Sequence, residues 1–214
     1  MLTNDDYAKA FHEIKNTITI IRSSLQLLQR QHPELSGYEY WNDSCDALDY
    51  LNQMIQELSQ TKLSSDFPLQ AVSPNRLLHY TISSLQSTYD CSSFCCECNI
   101  EPDLPAISGD FMRLNQALLN LIKNAFEAMG KTGTMQLNAY RKDDCIRIDI
   151  IDFGGGLKPD SEKQLFLPFY TSKPSGTGLG LPITKQIIEA HNGQLLFSSR
   201  PNEGCTFSVI LPIA

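Results

Sequence analysis

Residues 169–193, FYTSKPSGTGLGLPITKQIIEAHNG, join a glycine-rich loop to the start of a helix. The alternate glycines of Gly176–Gly180 permit positive φ angles and close approach of the backbone to a ligand. The helix that follows accepts Pro182 in its first turn and meets a stop signal at Asn192-Gly193. Because a helix N-terminus presents N–H groups that lack intrahelical partners, this arrangement favours a ligand that carries phosphate.

The glycine loop is weak evidence when it is taken alone. It matches neither the G-x-x-x-x-G-K-[ST] phosphate loop nor a strand–G-x-G-x-x-G–helix unit. A simple turn between a loop and a surface helix accounts for the same residues. The rest of the chain therefore has to decide between these two interpretations.

The composition is that of a globular protein with an acidic surface. Of its 214 residues, 42% are hydrophobic and 19% are charged, and the formal net charge is −7. The negative charge argues against nucleic-acid binding. No apolar run approaches the roughly 18–20 residues that cross a bilayer. Seven cysteines without a secretory signal favour reduced thiols, so we predict a cytoplasmic protein without membrane insertion.

The first sixty or so residues have the pattern of a helical hairpin. Apolar positions recur at alternating steps of four and three, which is the spacing of a coiled-coil seam, on either side of HPELSG at residues 32–37. The seam consists of Ile14, Ile18, Ile21, Leu25 and Leu28, followed by Ser44, Leu48, Leu51, Ile55 and Leu58. Two helices cannot bury so large a seam. We therefore predict a homodimer in which two hairpins form a four-helix bundle.

The remainder of the chain mixes helical and strand patterns. Helices are predicted at 74–87 and 110–129, and strands at 134–140, 146–151, 194–199 and 206–211. The predicted fold class is therefore α+β. A helical hairpin domain at residues 1–65 is followed by an α/β sandwich at residues 69–214, and LSSDFP at residues 63–68 forms the linker.

Four short motifs in the second half follow one another along the chain. They are NLIKNA at residues 120–125, DFGGG at 152–156, FLPF at 166–169 and GTGLGL at 176–181. In the first motif, Asn120 and Asn124 are four residues apart and therefore share one face of a helix. Asparagine side chains provide oxygen ligands of the kind that Mg²⁺ accepts. Taken singly, the motifs also fit helix-surface amides, a β-turn and a buried aromatic pair.

In this order the four motifs resemble the N, G1, F and G2 boxes of histidine kinases, whose wider relatives are the ATPases of the gyrase, Hsp90 and MutL group. The resemblance spans about residues 110–211 and implies a Bergerat-type ATP-binding domain with ATP and Mg²⁺ as ligands. It implies that Asn124 and Asn120 bind Mg²⁺ and that Asp152 binds the adenine amino group. The other residues that it assigns to the pocket and its lid are Gly154, Gly156, Phe169, Thr171, Ser172, Lys173, Gly176, Thr177, Gly178, Leu179, Gly180 and Leu181.

In the first predicted helix, His12 is followed by Glu13 and, one turn later, by Asn16. A neutral imidazole can be a nucleophile and an adjacent carboxylate can accept its proton, although a solvated helix face is the simpler explanation. With four ATP motifs downstream, FHEIKNTITIIRSSLQLL at residues 11–28 also resembles the H box of dimeric histidine kinases. That resemblance implies that His12 is phosphorylated, that Glu13 accepts a proton and that Asn16 orients a water for dephosphorylation. The family commonly has proline where this chain has Thr17, so we expect a straighter helix here.

These resemblances together imply an ATP-dependent protein histidine kinase that passes its phosphoryl group to an aspartate of a response-regulator receiver domain. Its input would come from a separate sensor protein or from a longer chain. Two alternatives stay open. A serine/threonine kinase of the anti-sigma type shares the ATP motifs, and a histidine phosphotransfer scaffold would take phosphate from elsewhere.

The sequence also contains a cysteine cluster and two further histidines. Cys91, Cys95, Cys96 and Cys98 lie within eight residues, but their spacing is not that of a paired C-x₂-C knuckle. We therefore expect two of these thiols to pack in a strand or helix core, and the spacing does not favour a structural metal site. His79 and His191 are expected at the surface or as helix caps.

Overall fold

The structure is a computed structural model of the chain. It describes residues 4–38, 40–42, 44–45, 47–48, 51–52, 55, 69–89, 92–157, 164–171, 173 and 176–214. The chain divides into two compact units. The helical unit is Met1–Lys62 with Thr171–Leu179, and the sheet unit is Leu63–Tyr170 with Gly180–Ala214. Among the helices that are described, none is both long enough and apolar enough to span a bilayer.

The helical unit begins with α1 (Asn4–Gln31), a 28-residue helix that runs without interruption past Thr17. A 3₁₀ turn at Pro33–Gly37 ends the first stretch, and the described residues between 40 and 55 are helical. Ser36 stabilises this turn through two hydrogen bonds. Its hydroxyl oxygen accepts a hydrogen bond from the Gln29 side-chain amide at 3.0 Å, and its carbonyl oxygen accepts one from the Asn42 side-chain amide at 3.1 Å. The predicted helix–turn–helix order is therefore confirmed in the described residues.

The apolar seam of this unit is only partly covered. Ile18 and Ile55 are buried, whereas four large seam residues stay exposed by 41–46%, namely Ile14, Ile21, Leu28 and Leu51. Leu25 and Leu48 are half-buried, and Ser44 is exposed. Leu58 and the predicted linker at residues 63–68 lie outside the described residues.

The sheet unit is an α+β sandwich. Its elements are β1 (Gln70–Val72), α2 (Pro74–Thr88), β2 (Phe94–Ile100), β3 (Ile107–Gly109), α3 (Phe111–Ala128), β4 (Gly133–Lys142), β5 (Cys145–Asp152), α4 (Gly180–Ala190), β6 (Gln194–Arg200) and β7 (Gly204–Pro212). In the described part of the chain, five strands form one sheet in the order β2-β4-β5-β7-β6, in which the β2–β4 pair is parallel and the other pairs are antiparallel. β1 and β3 form a separate antiparallel pair. The predicted helices and strands are confirmed to within two residues at each end, whereas β1, β2 and β3 were not predicted.

The core lies between one face of the large sheet and the helices. Alternate residues of a strand share a face, and the buried apolar set on the central strands follows that rule. It comprises Met135, Leu137 and Ala139 on β4, Ile146, Ile148 and Ile150 on β5, and Phe207, Val209 and Leu211 on β7. Helix α3 packs against β5 and α4 against β6. Each buried side chain of this size stabilises the fold by about 1.5–3 kcal/mol.

On the opposite face, a polar network fixes the register of β5. The buried carboxylate of Asp149 accepts from Arg147 Nε at 2.8 Å and from Tyr140 Oη at 3.1 Å. The hydroxyl of Ser208 also donates to Asp149. Because a shift of one residue would exchange the two faces, this network also fixes which face Asp152 occupies at the end of β5. That face is the one covered by the helices.

Two expectations about single residue types need correction or refinement. For His191 the surface alternative is wrong, because the residue is only 1% exposed, whereas the cap alternative is confirmed, because it directly follows α4 and its ring bonds the Ile187 carbonyl. Three of the clustered cysteines, Cys95, Cys96 and Cys98, lie in β2, which is an edge strand of the sheet. Cys91 lies outside the described residues.

Candidate nucleotide-binding site

Asp152 is the last residue of β5 and is only 3% exposed. Its Oδ1 atom accepts the backbone N–H of Gly154 at 3.0 Å and that of Cys205 at 3.3 Å. Two backbone donors from different segments hold the carboxylate in one orientation. A buried acceptor of fixed orientation suits recognition of a donor group on a ligand.

The glycines after Asp152 differ in how strictly the structure requires them. A Cβ at Gly154 would lie 2.7 Å from the Ala128 carbonyl oxygen. Gly156 has φ +65°, and a Cβ there would collide with the Arg200 carbonyl oxygen. Gly155, in contrast, has open space around its Cβ position. The two glycines that the sequence analysis assigned to the pocket are therefore the two that steric contacts demand.

Asn120 joins α3 to the first turn of α4. Its Nδ2 atom donates to Thr184 Oγ1 at 2.8 Å, and a Cβ at Gly180 would lie 2.5 Å from Asn120 Oδ1. Glycine at position 180 is what allows the N-terminus of α4 to approach this amide so closely. Asn124, one turn further along α3, is half-buried on the same helix face.

The FLPF segment precedes the glycine loop. Phe166 lies under the ammonium group of Lys185, with the Nζ atom 5.5 Å from the ring centroid. Phe169 is 58% exposed and has φ +66°, which is uncommon for a bulky residue. Leu181, in the first turn of α4, is half-buried.

Residues Thr171–Leu179 belong to the helical unit and have internal contacts of their own. Thr171 Oγ1 accepts the N–H of Lys173 at 3.0 Å, and Thr177 Oγ1 accepts that of Leu179 at 3.3 Å. Gly178 has φ +67°, and a Cβ at Gly176 would collide with the Thr171 hydroxyl. Ser172 lies outside the described residues.

The candidate phosphoacceptor region is a regular part of α1. The backbone of His12 is helical, and its side chain lies outside what the structure describes. Glu13 and Asn16 are both exposed on the helix. The hydroxyls of Thr17 and Thr19 donate to the carbonyls four residues earlier, at 2.9 and 2.8 Å.

A family profile, described as the histidine kinase-, DNA gyrase B-, and HSP90-like ATPase, matches residues 109–214. The matched segment runs from the residue before the N-cap of α3 to the end of the chain. It contains Asp152, its glycine loop and the Asn120–Gly180 contact. Residues 109–214 belong to this ATPase family.

Individual relatives extend the similarity beyond the ATPase domain. The signal transduction histidine-protein kinase AtoS of Escherichia coli K12 is 34% identical over 203 residues, which are 94% of this chain and 33% of AtoS. The nucleotide-free catalytic domain of histidine kinase ThkA has a TM-score of 0.62 at 25% identity, covering 68% of this chain and 96% of that one.

The crystal structure of full-length ShkA in complex with AMPPNP matches 100% of this chain and 46% of its own, with a TM-score of 0.80. At 22% identity, that likeness shows a shared fold. The chain spans a third to a half of the length of the first curated relatives that it matches.

Two residues near Asp152 in the ATPase domain, Ser199 and Gly204, were not predicted from the sequence. Ser199 Oγ accepts the N–H of Leu157 at 2.8 Å and donates to the Gly204 carbonyl at 3.2 Å. Gly204 has φ +92°, and a Cβ there would collide with the Asp152 carbonyl oxygen. The only signal in the sequence was the turn before Gly204, which predicts a hairpin but not its contact with residues 152–157.

The contact between His191 and Asp110 is the second feature of the ATPase domain that was not predicted from the sequence. Its Nε2 atom accepts the backbone N–H of Asp110 at 2.9 Å, and its Nδ1–H donates to the Ile187 carbonyl at 2.7 Å. The ring thereby links the end of α4 to the N-cap of α3, the two helices that meet at Asn120. Burial lowers the pKa of His191 below its ordinary value.

Proposed function

We propose that this chain is the catalytic core of an ATP-dependent protein histidine kinase. It autophosphorylates on His12, passes the phosphoryl group to an aspartate of a response-regulator receiver domain and dephosphorylates that receiver. The observation that carries the proposal is the close approach of the α4 N-terminus to Asn120 in the domain that holds Asp152, within a chain whose similarity to AtoS extends over the helix of His12.

The described residues fit a nucleotide with a divalent cation. Asp152 is held by two backbone donors in an orientation that suits the adenine amino group. At the other end, Gly180 leaves space where any other residue would press on Asn120, and the dipole of α4 favours phosphate at its N-terminus. In this assignment Gly154, Gly156, Phe169 and Leu181 complete the pocket. The relative ShkA was crystallised with AMPPNP.

The amide oxygens of Asn120 and Asn124 are the donors that we assign to Mg²⁺. Hard cations of this kind take oxygen ligands and keep several waters when they bind nucleotide phosphates. When bound, Mg²⁺ would neutralise charge on the transferring phosphoryl group. The contact from Asn120 Nδ2 to Thr184 holds that amide in one orientation. Residues Thr171, Ser172, Lys173 and Gly176–Leu179 form the proposed phosphate lid.

His12 is the proposed nucleophile because its imidazole can attack phosphorus without first losing a proton. Glu13, the next residue, is exposed and is assigned to orient the ring and to accept the proton from the ring nitrogen that does not attack. Asn16 lies one turn away on the same face, where it would orient a water for dephosphorylation of the receiver. None of these roles requires a kink in α1.

The proposed functional unit is a homodimer formed through the helical unit. Four large apolar residues of the seam are exposed in the single chain, Ile14, Ile21, Leu28 and Leu51. A contiguous exposed apolar stripe at coiled-coil spacing is typical of an interface. We further propose a cytoplasmic location and input from a sensor protein or a sensor segment of a longer chain.

Incubation of the purified chain with γ-labelled ATP tests the proposal. We expect label on the wild-type protein that acid releases and base preserves, and no label on His12→Gln. His79→Gln is the matched control, because His79 is an exposed histidine on α2 of the other unit. A fluorescent ATP analogue should still bind to His12→Gln.

Other outcomes of the same incubation discriminate between functions. Label that persists in His12→Gln contradicts the assignment of the nucleophile. Acid-stable label supports the anti-sigma-type serine/threonine kinase instead. A wild-type protein that takes no label from ATP, but accepts it from a phosphorylated receiver, supports the phosphotransfer scaffold.

A further inference from the structure

Two cysteines that the nucleotide site does not use lie side by side on β2. Cys96 and Cys98 are two residues apart, so their side chains point to the same face of the strand. Their Sγ atoms are 3.6 Å apart, and both cysteines are free thiols. Cys95 lies on the same strand, opposite Thr134 of β4, but its side chain points to the other face.

The position of β2 keeps this thiol pair accessible. Among the described strands, β2 is the terminal strand of the five-stranded sheet and pairs with β4 alone. Cys96 lies next to Met135 and Cys98 next to Leu137, at the open edge of the core-facing surface. Cys98 is exposed and Cys96 is half-buried. We therefore expect a small reagent to reach this thiol pair from solvent.

The distance between the two sulfur atoms matches the sulfur–sulfur distance across a metal ion that both thiolates bind. A tetrahedral ion with metal–sulfur bonds of about 2.3 Å holds two thiolates about 3.8 Å apart. The observed 3.6 Å separation requires almost no movement to reach that geometry.

A disulfide would demand much more of the same two residues. Their sulfur atoms would have to close to about 2.05 Å, and their Cα atoms should be no more than about 6.8 Å apart. Residues two apart in an extended strand already lie at about 6.6 Å, close to that limit. Chelation is therefore the reaction that this strand geometry favours.

We propose that Cys96 and Cys98 form a bidentate site for one thiophilic centre of the class that includes Zn²⁺, Cd²⁺ and trivalent arsenic. A divalent ion displaces one proton from each thiol and forms two metal–sulfur bonds. In the part of the chain that is described, no group of three or more His, Cys, Asp or Glu side chains could hold a metal ion. In this proposal, water or a solute completes the coordination.

Titration of the full, reduced chain with Cd²⁺ tests the site through the ultraviolet absorption of cadmium–thiolate bonds. We expect saturation at one equivalent and competition by phenylarsine oxide, which condenses with two thiols to form two arsenic–sulfur bonds and release water. Loss of one chelating thiol in Cys96→Ser or Cys98→Ser should weaken binding at least about tenfold. Cys95→Ser, on the other face of the strand, should bind as the wild type does.

A second measurement needs no variant. Wild-type protein is alkylated with and without Cd²⁺, and the modified peptides are identified by mass spectrometry. We expect Cd²⁺ to protect Cys96 and Cys98 while Cys95 stays reactive. Equal protection of Cys95, undiminished binding by both Cys96→Ser and Cys98→Ser, or no saturable binding by the wild type would each overturn the proposal.

Discussion

Gly155 and Gly156 are adjacent glycines with opposite steric requirements. Gly156 has φ +65° and faces the Arg200 carbonyl, whereas a Cβ at Gly155 meets no atom within 4 Å. We expect Gly156→Ala to lower the free energy of unfolding by about 1–3 kcal/mol from backbone strain alone. Nucleotide affinity should fall as well, because residues 152–156 would have to shift.

Gly155→Ala is the matched control for this prediction. It adds the same methyl group one residue away and should change the unfolding free energy by less than about 1 kcal/mol. Urea unfolding and titration with a fluorescent ATP analogue measure the two effects. If the two variants have the same unfolding free energy and the same nucleotide affinity, the close approach of Gly156 to the Arg200 carbonyl does not constrain the loop.

His191 makes stability depend on pH. Since burial lowers its pKa in the folded state, the unfolded chain binds the proton more readily. The stability of the domain should therefore fall as the pH drops below about 6.5, the ordinary histidine pKa, and continue to fall until the folded-state pKa is reached. Protonation would also place a hydrogen on Nε2. That atom could then no longer accept the hydrogen bond from the Asp110 N–H.

Urea unfolding at pH 7.5 and pH 5.5 isolates this contribution. His191→Gln should be less stable than the wild type at both pH values but should lose less stability between them. The comparison of slopes removes the carboxylates and the other histidines, which both proteins share. An identical slope in the two proteins would rule out His191 as the titrating group.

At the scale of elements, the exposed apolar stripe on α1 predicts a dimer interface. Ile21 lies on the seam and is 41% exposed, and burial of such a side chain is worth about 1.5–3 kcal/mol per protomer. Ile21→Glu would place two charges at the proposed dimer interface. We therefore expect a dimeric wild type and a monomeric Ile21→Glu in light scattering.

Ile20→Glu provides the matched control for the seam. Ile20 is the preceding residue, is 66% exposed and lies off the seam by heptad spacing. This variant should remain a dimer at the same concentration. Ile21→Glu that keeps the mass of the wild type would contradict the proposed interface.

Sequence patterns predicted some elements better than others, for a physical reason. Helix α3 and strands β4, β5 and β7 each bury an apolar face, so their periodicity is strong. Strand β2 is an edge strand whose residues are half-buried or exposed, and it therefore lacks a clear alternation. It is held by parallel pairing with β4, more than thirty residues further along the chain.

At the scale of the whole molecule, we expect substitutions on one turn of α1 to affect the kinase and phosphatase activities of the proposed enzyme differently. Glu13→Gln keeps the shape of the side chain but removes a proton acceptor, so autophosphorylation should slow by about 10²–10⁴-fold. Asn16→Ala has no assigned role toward ATP. It should retain most autophosphorylation while it loses dephosphorylation of the receiver.

Labelled time courses with and without the cognate receiver measure both activities in each variant. Binding of the fluorescent ATP analogue should be unchanged in both, because Glu13 and Asn16 lie outside the assigned pocket. Equal loss of both activities in Asn16→Ala would refute the division of labour. It would leave the assignment of His12 as the nucleophile intact.

The sequence by itself determined the order of the elements and the four motifs, because helix periodicity, strand alternation and turn residues depend on near neighbours along the chain. It also indicated which residues carry suitable chemistry, such as Asp152 and Asn120. Only the tertiary structure decided how these residues are held. Asn120 contacts Thr184 across 64 positions and His191 contacts Asp110 across 81, and contacts at such separations leave no periodic trace in the sequence. The same holds for the thiol pair on β2, since its accessibility depends on which strand ends the sheet.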